Sequence, residues 1–268
     1  HYQEPPDILA QIKAKKRLPN LKYEIRRLRV PEQHFDTLLH GNAFDVESKI
    51  SSSDENVMAT FSSNCADVVV GNPPWGSPGK KTEEREAREA MDVALKWCEN
   101  QKPRLEVGDR EWSQAFVHRI GTLLRSGGQA GLLLSAGVLF KSHENSKAFR
   151  RQWLESVVLR RIVNFAHVRD VFFQGKTRQT GAQAPFISVT FAKQTPGDDK
   201  VNFEYWSAKK TAMVQGTQAV VLNKTDLHCL FQADVMENDD LWKIFWWGNH
   251  RDEALIRTLK MEPHIDEL

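Results

Sequence analysis

Four consecutive residues carry a chemistry that their types and order suggest: Asn72-Pro73-Pro74-Trp75. They follow Asp67-Val68-Val69-Val70-Gly71, where three β-branched residues closed by a glycine predict a short buried strand entering a tight turn. Proline fixes φ and offers no N–H, so two in succession make the turn stiff and unable to pair with a neighbouring strand. The result is a rigid platform bearing a carboxamide, backbone carbonyls and an indole. An exocyclic amine on a purine is a poor nucleophile, because its lone pair is delocalised into the ring. The Asn72 side-chain oxygen and the Pro73 carbonyl can each accept one amine hydrogen, which favours a more tetrahedral nitrogen. Trp75 can stack on the base, an interaction worth about 1–3 kcal/mol. Such chemistry rests on positioning and electrostatics and needs neither a metal nor a covalent enzyme intermediate.

Asn72-Pro73-Pro74-Trp75 resembles the catalytic Asn/Asp-Pro-Pro-aromatic motif of S-adenosylmethionine-dependent amino methyltransferases. With its Val-Val-Gly strand, the stretch is most similar to adenine-N6 DNA methyltransferases of the gamma class, including the fused type IIG restriction–modification enzymes. Further family features fall in order from about Leu38 to Lys193. Gly41-Asn42 resembles the turn whose polar side chain binds the adenine of the cofactor, and the resemblance adds Asp45 to the cofactor-binding residues. Phe116, in Trp112-Ser113-Gln114-Ala115-Phe116, resembles a helix aromatic that packs on the cofactor; an ordinary core phenylalanine is the alternative. Asp170-Val171-Phe172 resembles the turn whose ring lies against the target base, so that Trp75 and Phe172 would form two walls of an adenine pocket.

The resemblance implies methyl transfer from S-adenosylmethionine to the N6 amine of an adenine flipped out of double-stranded DNA. Asn72, Pro73, Pro74 and Trp75 are the implied catalytic residues, and no metal is required. It further implies a prokaryotic, cytoplasmic restriction–modification or phage-defence system, with a restriction or specificity subunit or a fused domain as partner. One family feature is missing: no Asp/Glu-Pro-x-x-Gly-x-Gly cofactor loop precedes Gly41, and Glu24 is the acidic candidate left for the cofactor ribose. The chain is therefore expected to be part of a longer enzyme. Two other readings stay open. The same turn serves enzymes that methylate RNA adenine or a protein glutamine, and a non-catalytic methyltransferase-fold subunit would bind DNA or a partner protein.

The composition agrees with a globular chain and excludes a few classes. Its 268 residues are 40% apolar and 27% charged, with no apolar run approaching the roughly 18 residues of a membrane span. A net charge of +2 means that any DNA contact must come from local basic faces. Cys65, Cys98 and Cys229 are scattered and odd in number, which argues for a reducing compartment and against a zinc site or disulfide framework.

The elements that must position the motif read as follows. Residues 1–36 form a basic helical segment, with Lys13, Lys15, Lys16, Arg17, Arg26, Arg27 and Arg29. Residues 37–195 form a partial methyltransferase domain, and residues 196–268 a C-terminal extension leading towards a target-recognition region. Within them, a short strand ends at Gly41-Asn42 and residues 51–55 and 76–81 are loops. Helical spacing covers 82–100, 112–124 and 144–155; strands are expected at 130–134, 157–165, 186–192 and 202–206. Gly127-Gly128 is read as a helix C-cap feeding a strand. Gln174, Lys176 and Arg178 make a polar loop in which the two cations could meet phosphates. The alternation gives an α/β fold: a Rossmann-like class I methyltransferase sheet, largely parallel, with helices on both faces and its N-terminal strands missing.

Overall fold

The computed structural model describes residues 43–44, 63–79, 85–172, 185–195, 201–217 and 219–261. The basic segments 5–17 and 22–29, Asn42, Asp45, the loop 51–55, Lys80, Lys81, Gln174, Lys176 and Arg178 lie outside the described residues. The described elements, in order, begin with β1 (Ala66–Gly71), α1 (Arg85–Glu99), α2 (Trp112–Leu123), β2 (Leu124–Ser135), α3 (Gly137–Phe140) and α4 (Glu144–Ser156). They continue with β3 (Val157–Asn164), α5 (Arg169–Phe172), β4 (Phe186–Lys193), β5 (Asn202–Ser207), α6 (Ala212–Thr217) and β6 (Leu227–Phe231). The last three are α7 (Gln232–Glu237), α8 (Asp240–Trp247) and α9 (His250–Met261).

The strands form one α/β sheet in the order β1-β2-β4-β3-β5-β6. β1 and β2 pair in parallel, as do β3 and β5; the other three pairings are antiparallel. The expectation of a largely parallel sheet is thus corrected. β1, β2, β3 and β5 share a direction, but β4 inserts between β2 and β3 against them, and β6 returns along β5. An apolar run specifies a buried strand without specifying its direction, which the connections decide.

Alternation fixes which side of the sheet is packed. Ala130, Leu132 and Leu134 pair across with Phe191, Val189 and Ile187, and all six are buried. With Leu159, Ile162, Phe203 and Tyr205 they form the core under Val117 and Ile120 of α2, Phe149 and Trp153 of α4, and Trp242 of α8. Val69 packs on this core, whereas its neighbours Val68 and Val70 are 64% and 80% exposed. β1 is therefore not the buried strand that its three valines predict. Its Val69 side meets the core, whereas the side bearing Val68 and Val70 is open among the described residues, as is Thr190 on the interior strand β4.

The Gly127-Gly128 expectation changes as well. α2 passes directly into β2, and the pairing jumps from Ala66↔Leu124 to Val68↔Gln129, so residues 125–128 bulge out of the strand. Gly127 takes a φ of +75, and a Cβ on Gly128 would lie 2.9 Å from the carbonyl oxygens of Ala66 and Arg125. Both glycines serve the bulge and not a helix cap.

His118 of α2 makes acid a threat to this core. Burial depresses its pKa to about 4, although its Nε2 contact with the Glu106 carbonyl, 2.9 Å away, partly opposes the shift. A depressed folded-state pKa gives stability that is complete above the unfolded value and lost as pH falls. Stability should therefore drop between pH 6.5 and about 4, by up to about 3 kcal/mol from this group. Denaturant melts across that range should show a shallower drop in His118→Gln; an unchanged slope would clear His118. Cys98 is buried in the neighbouring cluster around Met91 and Ala115, and desolvation pushes its thiol up to about 12, so it packs as an apolar group.

Candidate functional site

β1 delivers Gly71 to the sheet edge where β2, β3 and β5 also end, at Ser135, Asn164 and Ser207. β4 runs the other way and begins there: Phe186 pairs with Ser135, and Ile187 with Asn164. Ligands of open α/β sheets bind outside strand carboxyl ends, so this edge is where a site is expected. The turn after β1 leaves Asn72 and Pro74 exposed, buries Pro73 and half-buries Trp75.

Trp75 is held at both ends. Its Nε1 donates to the Leu133 carbonyl at 3.2 Å, and its ring stacks on Phe186 with centroids 5.5 Å apart at 15°. Phe186 also stacks on Phe165 at 5.1 Å and 20°. Phe172 meets Phe165 and Phe186 edge-on, 5.3 Å from each. Trp75 and Phe172, far apart in the chain, thus belong to one aromatic cluster. Phe172 is 50% exposed and offers ring surface to solvent. Reading the sequence missed Phe165 and Phe186, which look like ordinary strand residues; only the antiparallel insertion of β4 brings Phe186 to this edge. Asp170, beside Phe172, pairs with Lys210 at 2.5 Å, and that hydrogen bond holds its carboxyl below the usual range.

The backbone after the motif is clamped to the start of α2. Gly76 N–H donates to Glu111 Oε1 at 2.7 Å, and Trp112 N–H donates to the Gly76 carbonyl at 3.0 Å. Ser113 Oγ donates to the Pro74 carbonyl at 3.4 Å and accepts from Ser135 N–H at 3.3 Å. Ser77 Oγ donates to the Asp109 carbonyl. Glu111 is buried and pairs with Lys141 at 2.9 Å; Asp109 lies 3.4 Å from the same ammonium. Burial lowers the Lys141 pKa, but the hydrogen bonds and charges of Glu111 and Asp109 outweigh it and hold the ammonium above its ordinary value. Gly76 and Ser77 were read from the sequence only as loop, and Asp109, Glu111 and Lys141 were not singled out. An acidic residue just before an aromatic helix start was the available signal.

Phe116 belongs to a different cluster. Its half-buried ring meets Phe44 at 5.0 Å and Trp112 at 6.1 Å. Arg119 donates to the Ala43 carbonyl at 2.8 Å and stands 5.3 Å over Trp97. The two residues that follow Asn42 are thereby docked on α2 beside Phe116. At the far end of the edge, α8 buries Trp242, stacks Trp246 on Phe140 at 4.5 Å, and leaves Trp247 68% exposed beside His167. The described residues include no helix long and apolar enough to cross a membrane.

The model of the Eco57I restriction-modification methylase family matches residues 10–172, more than half of the chain. The chain belongs to this family. No curated protein matches it. Among solved structures, it is similar to a modification subunit of a putative type I restriction enzyme from Vibrio vulnificus YJ016, with 14% identity and a TM-score of 0.39 over 63% of this chain and 34% of that one. It is also similar to the type IIG restriction endonuclease BpuSI, with 15% identity and a TM-score of 0.40 over 71% of this chain and 21% of that one. A third likeness, to a chain of a type I R-M system described for its assembly and conformational transition, has 13% identity and a TM-score of 0.41 over 64% and 35% of the two chains. This Eco57I-family chain spans about a third of the length of the type I chains it matches.

Proposed function

We propose that this Eco57I-family chain carries the catalytic residues of a DNA adenine-N6 methyltransferase in a restriction–modification system. The observation that carries the reading is the Asn72-Pro73-Pro74-Trp75 turn at the strand edge, with Trp75 and Phe172 drawn into one aromatic cluster. Flipping an adenine from the duplex costs a few kcal/mol, which stacking on exposed aromatic surface offsets in part. Asn72, exposed on a stiff turn, and the Pro73 carbonyl accept the two amine hydrogens and leave the nitrogen lone pair free. The proton departs after the methyl arrives, so no side chain acts as a strong general base.

S-adenosylmethionine, when bound, supplies a methyl group on a sulfonium. Asn42 and Asp45 with Phe116 are the residues assigned to hold it. Docking of Ala43–Phe44 beside the half-buried Phe116 ring fits that assignment, because it joins the turn to an aromatic surface suited to an adenosine. The test is transfer of labelled methyl from S-adenosylmethionine to adenine-containing duplex by the full-length protein, with nucleosides separated after digestion. Label in N6-methyladenine is expected. Label in another base, in RNA or in a protein glutamine would replace the assigned substrate. Calorimetric binding of the cofactor without any transfer would sink the catalytic reading.

A further inference from the structure

We propose that Glu111 is a positioning residue for the Asn72-Pro73-Pro74-Trp75 turn, which it holds through the Gly76 amide while Lys141 neutralises it; the inference rests on the methyltransferase reading above. Glu111 is only 1% exposed, and a buried carboxylate is costly unless paired and hydrogen-bonded. It stands at the N-cap position of α2, where a side chain ordinarily accepts an N–H of its own helix, yet it makes no such bond. Its two oxygens instead reach across the loop, one to Gly76 N–H and the other to Lys141 Nζ.

What is held also matters. Gly76 has a φ of +77, a left-handed conformation in which its N–H direction is set by the turn and a non-glycine residue would be strained. On the other side of the clamp, Asp109 and Arg110 both sit at φ 53, an uncommon region for residues with side chains. Such backbone persists when its surroundings over-determine it. Here they do: the Gly76 carbonyl, the Pro74 carbonyl and the Ser77 hydroxyl are all bonded to residues 109–113. Lys141 comes from the segment just after α3, so the pair also ties the turn to the structure beyond β2. Reaction geometry is unforgiving, and a displacement near 1 Å costs about 100-fold in rate. The Glu111 carboxylate touches none of the reacting atoms and acts through the position of Asn72.

The test uses full-length Glu111→Ala and Glu111→Gln with two readouts. The first is amide hydrogen exchange of the peptide spanning Gly76 and Ser77, which needs no activity. Exchange should speed at least 10-fold in Glu111→Ala and stay near wild type in Glu111→Gln, whose amide oxygen still accepts from Gly76. The second is steady-state methyl transfer, where Glu111→Ala should lower kcat about 100-fold with KM for DNA and cofactor within about threefold, and Glu111→Gln should restore kcat to within about fivefold of wild type. Unchanged exchange in Glu111→Ala, or a Gln variant as impaired as the Ala variant, overturns the proposal. A purely structural ion pair would lower thermal stability in both variants and leave kcat per folded molecule unmoved, which also overturns it. A wild-type protein that transfers no methyl defeats the methyltransferase reading instead, and the exchange readout still decides the clamp.

Discussion

Asn72→Ala in the full-length protein is expected to lower methyl transfer to adenine by about 1,000-fold while leaving affinity for duplex DNA within about twofold of wild type. Removing one preorganised hydrogen-bonding group aimed at the reacting centre costs about 100- to 1,000-fold, and the upper end applies here. The Pro73 carbonyl alone cannot orient an amine that has two hydrogens. The fold should not notice the change. Asn72 is exposed, and the turn around it is held by Pro73, by the Trp75 indole bond to Leu133 and by the Gly76 clamp, none of which uses the Asn72 side chain. The loss should fall on kcat with little change in KM, since the amine is held most strongly as its nitrogen becomes tetrahedral. Single-turnover transfer on a methylation-sensitive duplex measures this directly. A variant that still methylates adenine at near wild-type rate would refute the platform mechanism, and one that no longer binds DNA would move Asn72 from chemistry to recognition.

The turn, the helices α1, α2 and α4 and the strands β1 to β5 were legible because local pattern determines them, whereas α3, α5 to α9 and β6 were not read from it. α4 (Glu144–Ser156) and β4 (Phe186–Lys193) lie within a residue or so of the spans that periodicity gives. What was not legible depends on pairing across the sheet. Three valines say strand, but which of them is packed depends on what covers each face of the sheet, and only Val69 meets the core. Gly127-Gly128 has the composition of a helix cap, and only the register jump against β1 shows a bulge. Phe186 joins Trp75 because β4 runs against its neighbours, a fact about connection and not composition. Glu111 has the same lesson in charge: its partners Gly76 and Lys141 lie 35 residues before it and in the segment beyond β2. No local window contains that relation.

The second large effect is expected in stability, from Arg150→Met. Arg150 of α4 is 3% exposed and binds Asp239 with both prongs, Nε to Oδ1 at 2.9 Å and Nη2 to Oδ2 at 2.7 Å. Its remaining nitrogen donates to the carbonyl of Lys141, just after α3, at 2.8 Å and to that of Val138, within α3, at 3.3 Å. One guanidinium therefore joins α4, the α3 terminus and the residue before α8. Methionine fills similar volume, so the loss is of bonds and not of packing. It strands two carbonyls and a carboxylate. Breaking a buried pair from one side costs about 3–5 kcal/mol; with the Asp239 side chain 32% exposed and able to recruit water, about 3 kcal/mol is expected. For a chain of this size that lowers Tm by about 6–12 °C. Because Lys141 follows the same α3 terminus and pairs with Glu111, the variant should also loosen the clamp on Gly76 before global unfolding, visible as faster exchange there. Arg150→Lys keeps the charge but not the fork, and should fall between the two. A Tm shift below about 2 °C in Arg150→Met would mean that solvent replaces the guanidinium, and that the Trp242 core with the Ser207 and Lys209 bonds to the Trp246 carbonyl holds α8 to the sheet without it.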